Sequence, residues 1–131
     1  MKLGLDIHGV CDSNPIFKEI ASAMVQANHE VYIITGSTVN DAIRDLREVG
    51  MIGGRHYTSI FSITDYLLAK GAEVKWKDEH NPVFASSLWD TAKAEFCKEM
   101  GIDLHIDDSN IYASYFLTPC SVYHASSTSP V

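Results

Sequence analysis

Basic residues are scarce in this 131-residue chain: ten Lys and Arg stand against seventeen Asp and Glu, a formal net charge of −7. A nucleic-acid surface needs clustered Lys and Arg to neutralise phosphates, so no nucleic-acid partner is expected. Long apolar runs are also missing, and none approaches the roughly 20 residues that cross a bilayer. The N-terminal apolar stretch is short and interrupted by Asp6 and His8, which is not the pattern of a signal peptide. Cysteine is sparse: Cys11, Cys97 and Cys120 are odd in number and share no metal or redox spacing. They read as reduced thiols, and a cytoplasmic setting is expected. His29, His56, His80 and His124 lack the spacing of a zinc site. There is no internal repeat, and only the Ser/Thr/Pro-rich segment 125–131 has little to bury and is expected to fray.

What the chain does have is an ordinary globular composition, 46% apolar and 21% charged. Its length suits one domain, expected over 1–124, with a core large enough to stand without staples. Strand and helix signals alternate along it. Leu3-Gly4-Leu5 is a short apolar run that delivers Asp6 into a Gly-containing turn, the pattern of a buried strand. Asn14-Pro15 opens a helix with Ile16, Phe17, Ile20, Ala21, Met24 and Val25 along one side. Val31 to Thr35 is β-branched and aromatic, a second strand. Thr38 or Asn40 caps a helix through Val49, and Ser62-x-x-Asp65 opens another that ends at Gly71. Glu73–Lys77 and Pro82–Ala85 flank the turn-rich 78–81, which predicts a β-hairpin inside an insert of about 51–86. Ser87-x-x-Asp90 then caps a helix bearing Trp89, Ala92, Phe96 and Met100, and Ile102–Ile106 is a third strand delivering Asp107-Asp108. A last strand is expected near Ser121–His124.

Alternating elements with near-continuous apolar strands imply an α/β fold: a three-layer Rossmann-like parallel sheet with helices on both faces, plus the small hairpin. Right-handed crossovers put every strand's carboxyl end on one edge. Asp6, Thr35 and Asp107 each end a strand, so they should converge there.

Asp6-Ile7-His8-Gly9-Val10 resembles motif I of the haloacid dehalogenase-like (HAD) superfamily, Asp-x-Asp-Gly-Thr/Val, with His8 in place of the second aspartate. Thr35 in Ile33-Ile34-Thr35-Gly36-Ser37 matches motif II, Lys93 stands like the motif III lysine, and Asp107-Asp108 looks like the acidic motif IV. The resemblance implies that Asp6 is a nucleophile, that His8 stands as acid/base, and that Lys93 holds nucleophile and phosphate together. It implies Mg2+ held by Asp6, Asp107, Asp108 and the backbone carbonyl of His8, with Asp108 bound directly or through water. Such a metal fits the demand of magnesium for hard oxygen ligands. Thr35 with the amides of Gly36 and Ser37 would take phosphate oxygens, although Ser37 also has the reading of a residue that merely closes the turn.

The expected function is then a magnesium-dependent phosphomonoesterase, a cap-less HAD-like hydrolase working through an aspartyl-phosphate on a small phosphorylated substrate such as a nucleotide. General acid–base help contributes roughly two to four decades in rate, and histidine can donate a proton when charged and accept one when neutral. The alternative comes from another class: a phosphate- or nucleotide-binding protein in which loss of the second aspartate has ended turnover. Transfer of the phosphoryl group to an acceptor other than water is a third expectation.

Overall fold

The first strand, β1 (Lys2–Leu5), lies at the centre of a five-stranded sheet because its short apolar side chains can be covered on both faces. The structure, a computed structural model, describes residues 1–125; the rest of the expected frayed segment, 126–131, lies outside the described residues. The elements follow in the order β1, α1 (Ile16–Gln26), β2 (Glu30–Thr35), α2 (Val39–Glu48), β3 (Ser59–Ser62), α3 (Ile63–Ala69), β4 (Lys75–Asp78), β5 (Asn81–Val83), α4 (Ser86–Met100), β6 (Leu104–Asp107), α5 (Asn110–Ala113) and β7 (Cys120–Val122). The sheet order is β3-β2-β1-β6-β7, every pair parallel, and β4 and β5 form a separate antiparallel hairpin. The doubly covered parallel sheet with a small hairpin is the architecture expected from the alternation of elements.

Alternation along the strands sorts side chains to the two faces. Leu3, Leu5, Val31 and Ile33 meet Phe17 and Ala21 of α1 and Ala42 and Leu46 of α2. Tyr32 and Ile34 turn the other way, against Cys97, Phe96 and Met100 of α4. A third cluster joins Ile63 and Leu67 of α3 to Phe84 and Ala92. Each fully buried Leu or Ile contributes on the order of 1.5–3 kcal/mol through removal from water, which makes these faces the main source of stability.

Local details differ from expectation in instructive ways. Strand β3 escapes the sequence pattern because Ser59-Ile60-Phe61-Ser62 is four residues with serine at both ends, and it runs into α3 with no loop. Residues 51–86 therefore contribute β3 and α3 to the sheet and its cover, and the hairpin alone stands apart. Thr38, not Asn40, caps α2, its hydroxyl accepting from the Asp41 amide at 3.2 Å. Ser62 caps α3 as expected, but the Asp65 carboxylate accepts from the Val39 amide at 2.8 Å, tying the starts of two helices together. Helix α4 starts at Ser86 without a side-chain cap, which corrects the expectation for Ser87 and Asp90. The amides of Leu88 and Trp89 bond to the Ala85 carbonyl, and Trp89 stacks on Phe84 at 5.7 Å, so packing sets where the helix begins.

Candidate functional site

Parallel strands bring Asp6, Thr35 and Asp107 to one edge, where α4 lowers Lys93 between the two carboxylates. The Lys93 Nζ lies 2.7 Å from Asp107 Oδ2 and 3.2 Å from Asp6 Oδ1, and 4.5 Å above the centre of the Tyr112 ring. Asp6 Oδ1 also accepts from the Ile7 amide at 2.9 Å. The Asp107 Oδ2 is shared with His105 Nε2 at 2.8 Å, and Oδ1 accepts from the Ser109 amide at 3.1 Å. All four charged or titratable side chains are buried.

His105 is a core histidine only half satisfied. Its Nδ1 has no partner, and its ring stacks flat on Phe116 at 5.3 Å. The neighbouring strand makes room with Gly4: a Cβ there would stand 2.7 Å from Nδ1. Two residues past Asp6 the chain turns sharply, and Gly9 takes a φ of 86°. A side chain at Gly9 would run into the Asp108 carboxylate, so this turn lets Asp108 fold over it toward Asp6. One oxygen from each of Asp6, Asp107 and Asp108 lies within 4.8 Å of the others.

The charges in this cluster do not balance, and the carboxyl groups respond differently. Burial pushes Asp6 up, Lys93 offsets only part of it, and Asp107 and Asp108 add repulsion; the result is about 7 against an ordinary 3.8. Burial also works against ionised Asp107, but the His105 hydrogen bond and the Lys93 charge overcome it and hold the group well below the usual carboxylate range. Burial likewise opposes charge on Lys93, and the Asp6 and Asp107 carboxylates outweigh it, raising the ammonium's pKa. His105 is lowered chiefly by burial. Lys93 is thus shared between the two carboxylates, nearer to Asp107, and it does not fully offset the burial of Asp6.

In front of the cluster opens a cleft of about 370 Å³. Asp6, His8, Lys93, Asp108 and the Thr35-Gly36-Ser37 turn line its sheet side. The Ser37 amide donates to Thr35 Oγ1 at 3.2 Å, which closes the turn. His8 keeps both ring nitrogens on carboxylates, Asp12 at 3.0 Å and Asp45 at 3.2 Å. Sequence reasoning missed the other walls. Trp89 and Tyr112, joined by a 2.6 Å hydrogen bond from Nε1 to the phenol oxygen, form one. His80, Asn81 and Pro82 from the hairpin turn form another. Trp89 carried only a helix-face signal, which did not point to a cleft. Tyr57 is buried in the core and Tyr66 packs on Phe61, so neither reaches the cleft.

No protein-family model and no curated protein matches the chain. A solved structure that matches is a universal stress protein in complex with cAMP, 12% identical, covering 96% of this chain and 98% of that one with a TM-score of 0.50. At that identity the likeness is one of fold. It overturns the HAD resemblance: the protein that aligns along nearly the whole length is a universal stress protein. The reading as a HAD-like phosphatase or other hydrolase is withdrawn with it. Among the described residues, no helix is long and apolar enough to cross a membrane.

Proposed function

We propose that this protein binds a small phosphorylated molecule, a nucleotide, at the carboxyl edge of its sheet, together with Mg2+, and holds it without turnover. The observation that carries this reading is the cleft itself: a hydroxyl and amide turn, a buried lysine and an acidic cluster share one wall, and aromatic rings another. Open α/β sheets place ligands outside the carboxyl ends of their strands. The universal stress protein of similar fold was crystallised with cAMP, a small phosphorylated nucleotide, and that class of ligand suits these walls.

The cation follows from charge. Three carboxylates face one buried ammonium, and a phosphate entering alone would meet net repulsion, about 4 kcal/mol for a single charge pair at 4 Å near a protein surface. Hard carboxylate oxygens from Asp6, Asp107 and Asp108 form a donor set that suits magnesium. The ion supplies positive charge between the carboxylates and the phosphate. Thr35, the Gly36 amide and Lys93 take the phosphate oxygens, with the Ser37 amide closing the turn onto Thr35.

Calorimetric titration with AMP, ATP, cAMP and inorganic phosphate tests this. With Mg2+ present, at least one nucleotide should bind, EDTA should weaken it tenfold or more, and Thr35→Val should do so about tenfold. Silence from the whole panel at millimolar concentration, with the protein folded by circular dichroism, defeats the proposal.

A further inference from the structure

Hairpin β4–β5 stands outside the main sheet, and every residue of β4 is exposed. Its base is fixed by Val74 and Phe84, which join the cluster of Ile63 and Leu67. Its turn is braced internally: Asp78 accepts from the His80 amide at 2.8 Å and from Asn81 Nδ2 at 2.7 Å. Among the described residues, the turn has one hydrogen bond to the rest of the protein, between His80 Nδ1 and Asp41 Oδ2 at 2.9 Å, 39 positions apart. Asp41 sits at the start of α2 and also meets Arg44 at 3.2 Å. Glu79, 3.9 Å from the other ring nitrogen, is the competing carboxylate on the hairpin itself. The histidine bond draws Asp41 below the ordinary carboxylate value.

The phosphate side of the cleft is built on strand ends, whereas His80, Asn81 and Pro82 of the hairpin supply another wall, and His80 bonds to Asp41 of α2. We propose that the β4–β5 hairpin is the selectivity wall of the cleft, covering the non-phosphate part of a nucleotide, and that the His80–Asp41 contact holds this wall in place. The ligand named here rests on the nucleotide reading above; the anchoring does not.

Two measurements on the full chain separate the parts. In ligand-free protein, His80→Ala and Asp41→Asn should each raise amide hydrogen exchange across 75–83 several-fold, and the double variant should go no further than either single. Exchange unchanged from wild type, with native exchange in the main sheet, overturns the anchoring. Binding is then compared with Mg2+ and two probes, a fluorescent AMP derivative and inorganic phosphate. Asp41→Asn, which lies outside the cleft lining, should weaken the nucleotide five- to tenfold and phosphate less than twofold. Equal weakening of both probes overturns the selectivity wall. A wild type that binds phosphate and no nucleotide overturns the named ligand and the reading beneath it, while the exchange data still decide the anchoring.

Discussion

Two sets of carboxylate, imidazole and cation contacts face one another across a few residues of this molecule, and they do opposite work. The inner set, Asp6, Lys93, Asp107 and His105, is buried, with distances of 2.7 to 3.2 Å. The outer set runs from His8 through Asp45, Arg44 and Asp41 to His80 at similar distances, but His8, Arg44 and His80 are each more than half exposed. Chemistry and geometry are nearly matched, so dielectric surroundings are the variable. Inside, each charge depends on its partner because water cannot replace it. Outside, water and salt stand ready to substitute. The inner set should therefore govern folding and local charge state, and the outer set the arrangement of the cleft rim.

The strongest way to break the comparison is Lys93→Met. It strands two carboxyl groups in the core and should cost about 3–5 kcal/mol in urea denaturation, the usual penalty for removing one partner of a buried pair. Adding Asp107→Asn should restore part of that loss. A cost below about 1 kcal/mol would mean that water already reaches the cluster.

Asp6 gives the next largest effect, read as a slope. Its carboxyl titrates near 7 when folded and near 3.8 in its ordinary state. Between those values the folded protein keeps a proton that the unfolded chain has released, so this group's contribution falls as pH climbs from about 4 to about 7 and then levels. Asp107, held low, works in the opposite sense: its contribution is present above its ordinary value and lost as pH falls below it. Denaturation in EDTA should show Asp6→Asn gaining on wild type as pH rises through that window. Parallel curves for the two proteins would show that Asp6 ionises freely in place.

Much of the inner set was legible in the sequence. Asp6, Thr35 and Asp107 each follow a buried apolar run, and a parallel sheet gathers such ends on one edge whatever its family. That generality explains why the motif order misled: strand-end acids, a hydroxyl turn and a helix lysine arise from the architecture, and architecture hosts many functions. The bond of His105 to Asp107 and the space made for its ring by Gly4 belong to packing across strands and cannot be read from one segment. The outer set was hidden for a different reason. His80 meets Asp41 because a hairpin folds back over a helix, and no local pattern encodes that angle. Trp89 and Tyr112 reach the cleft from separate helices and find each other there.

The smallest effect is the sharpest control. His8 touches two carboxylates, yet its side chain is 56% exposed, and exposed pairs typically contribute about 0–1 kcal/mol. His8→Ala should therefore move the denaturation midpoint little at low salt, and the remaining difference should vanish near 0.5 M NaCl, where screening reaches only a few ångströms. The Lys93→Met penalty should survive the same salt, since ions do not enter the core to replace the ammonium. Should His8→Ala instead cost as much as Lys93→Met, or persist undiminished in salt, the rim would share the low dielectric of the interior, and dielectric surroundings would no longer explain why two sets of like contacts behave differently.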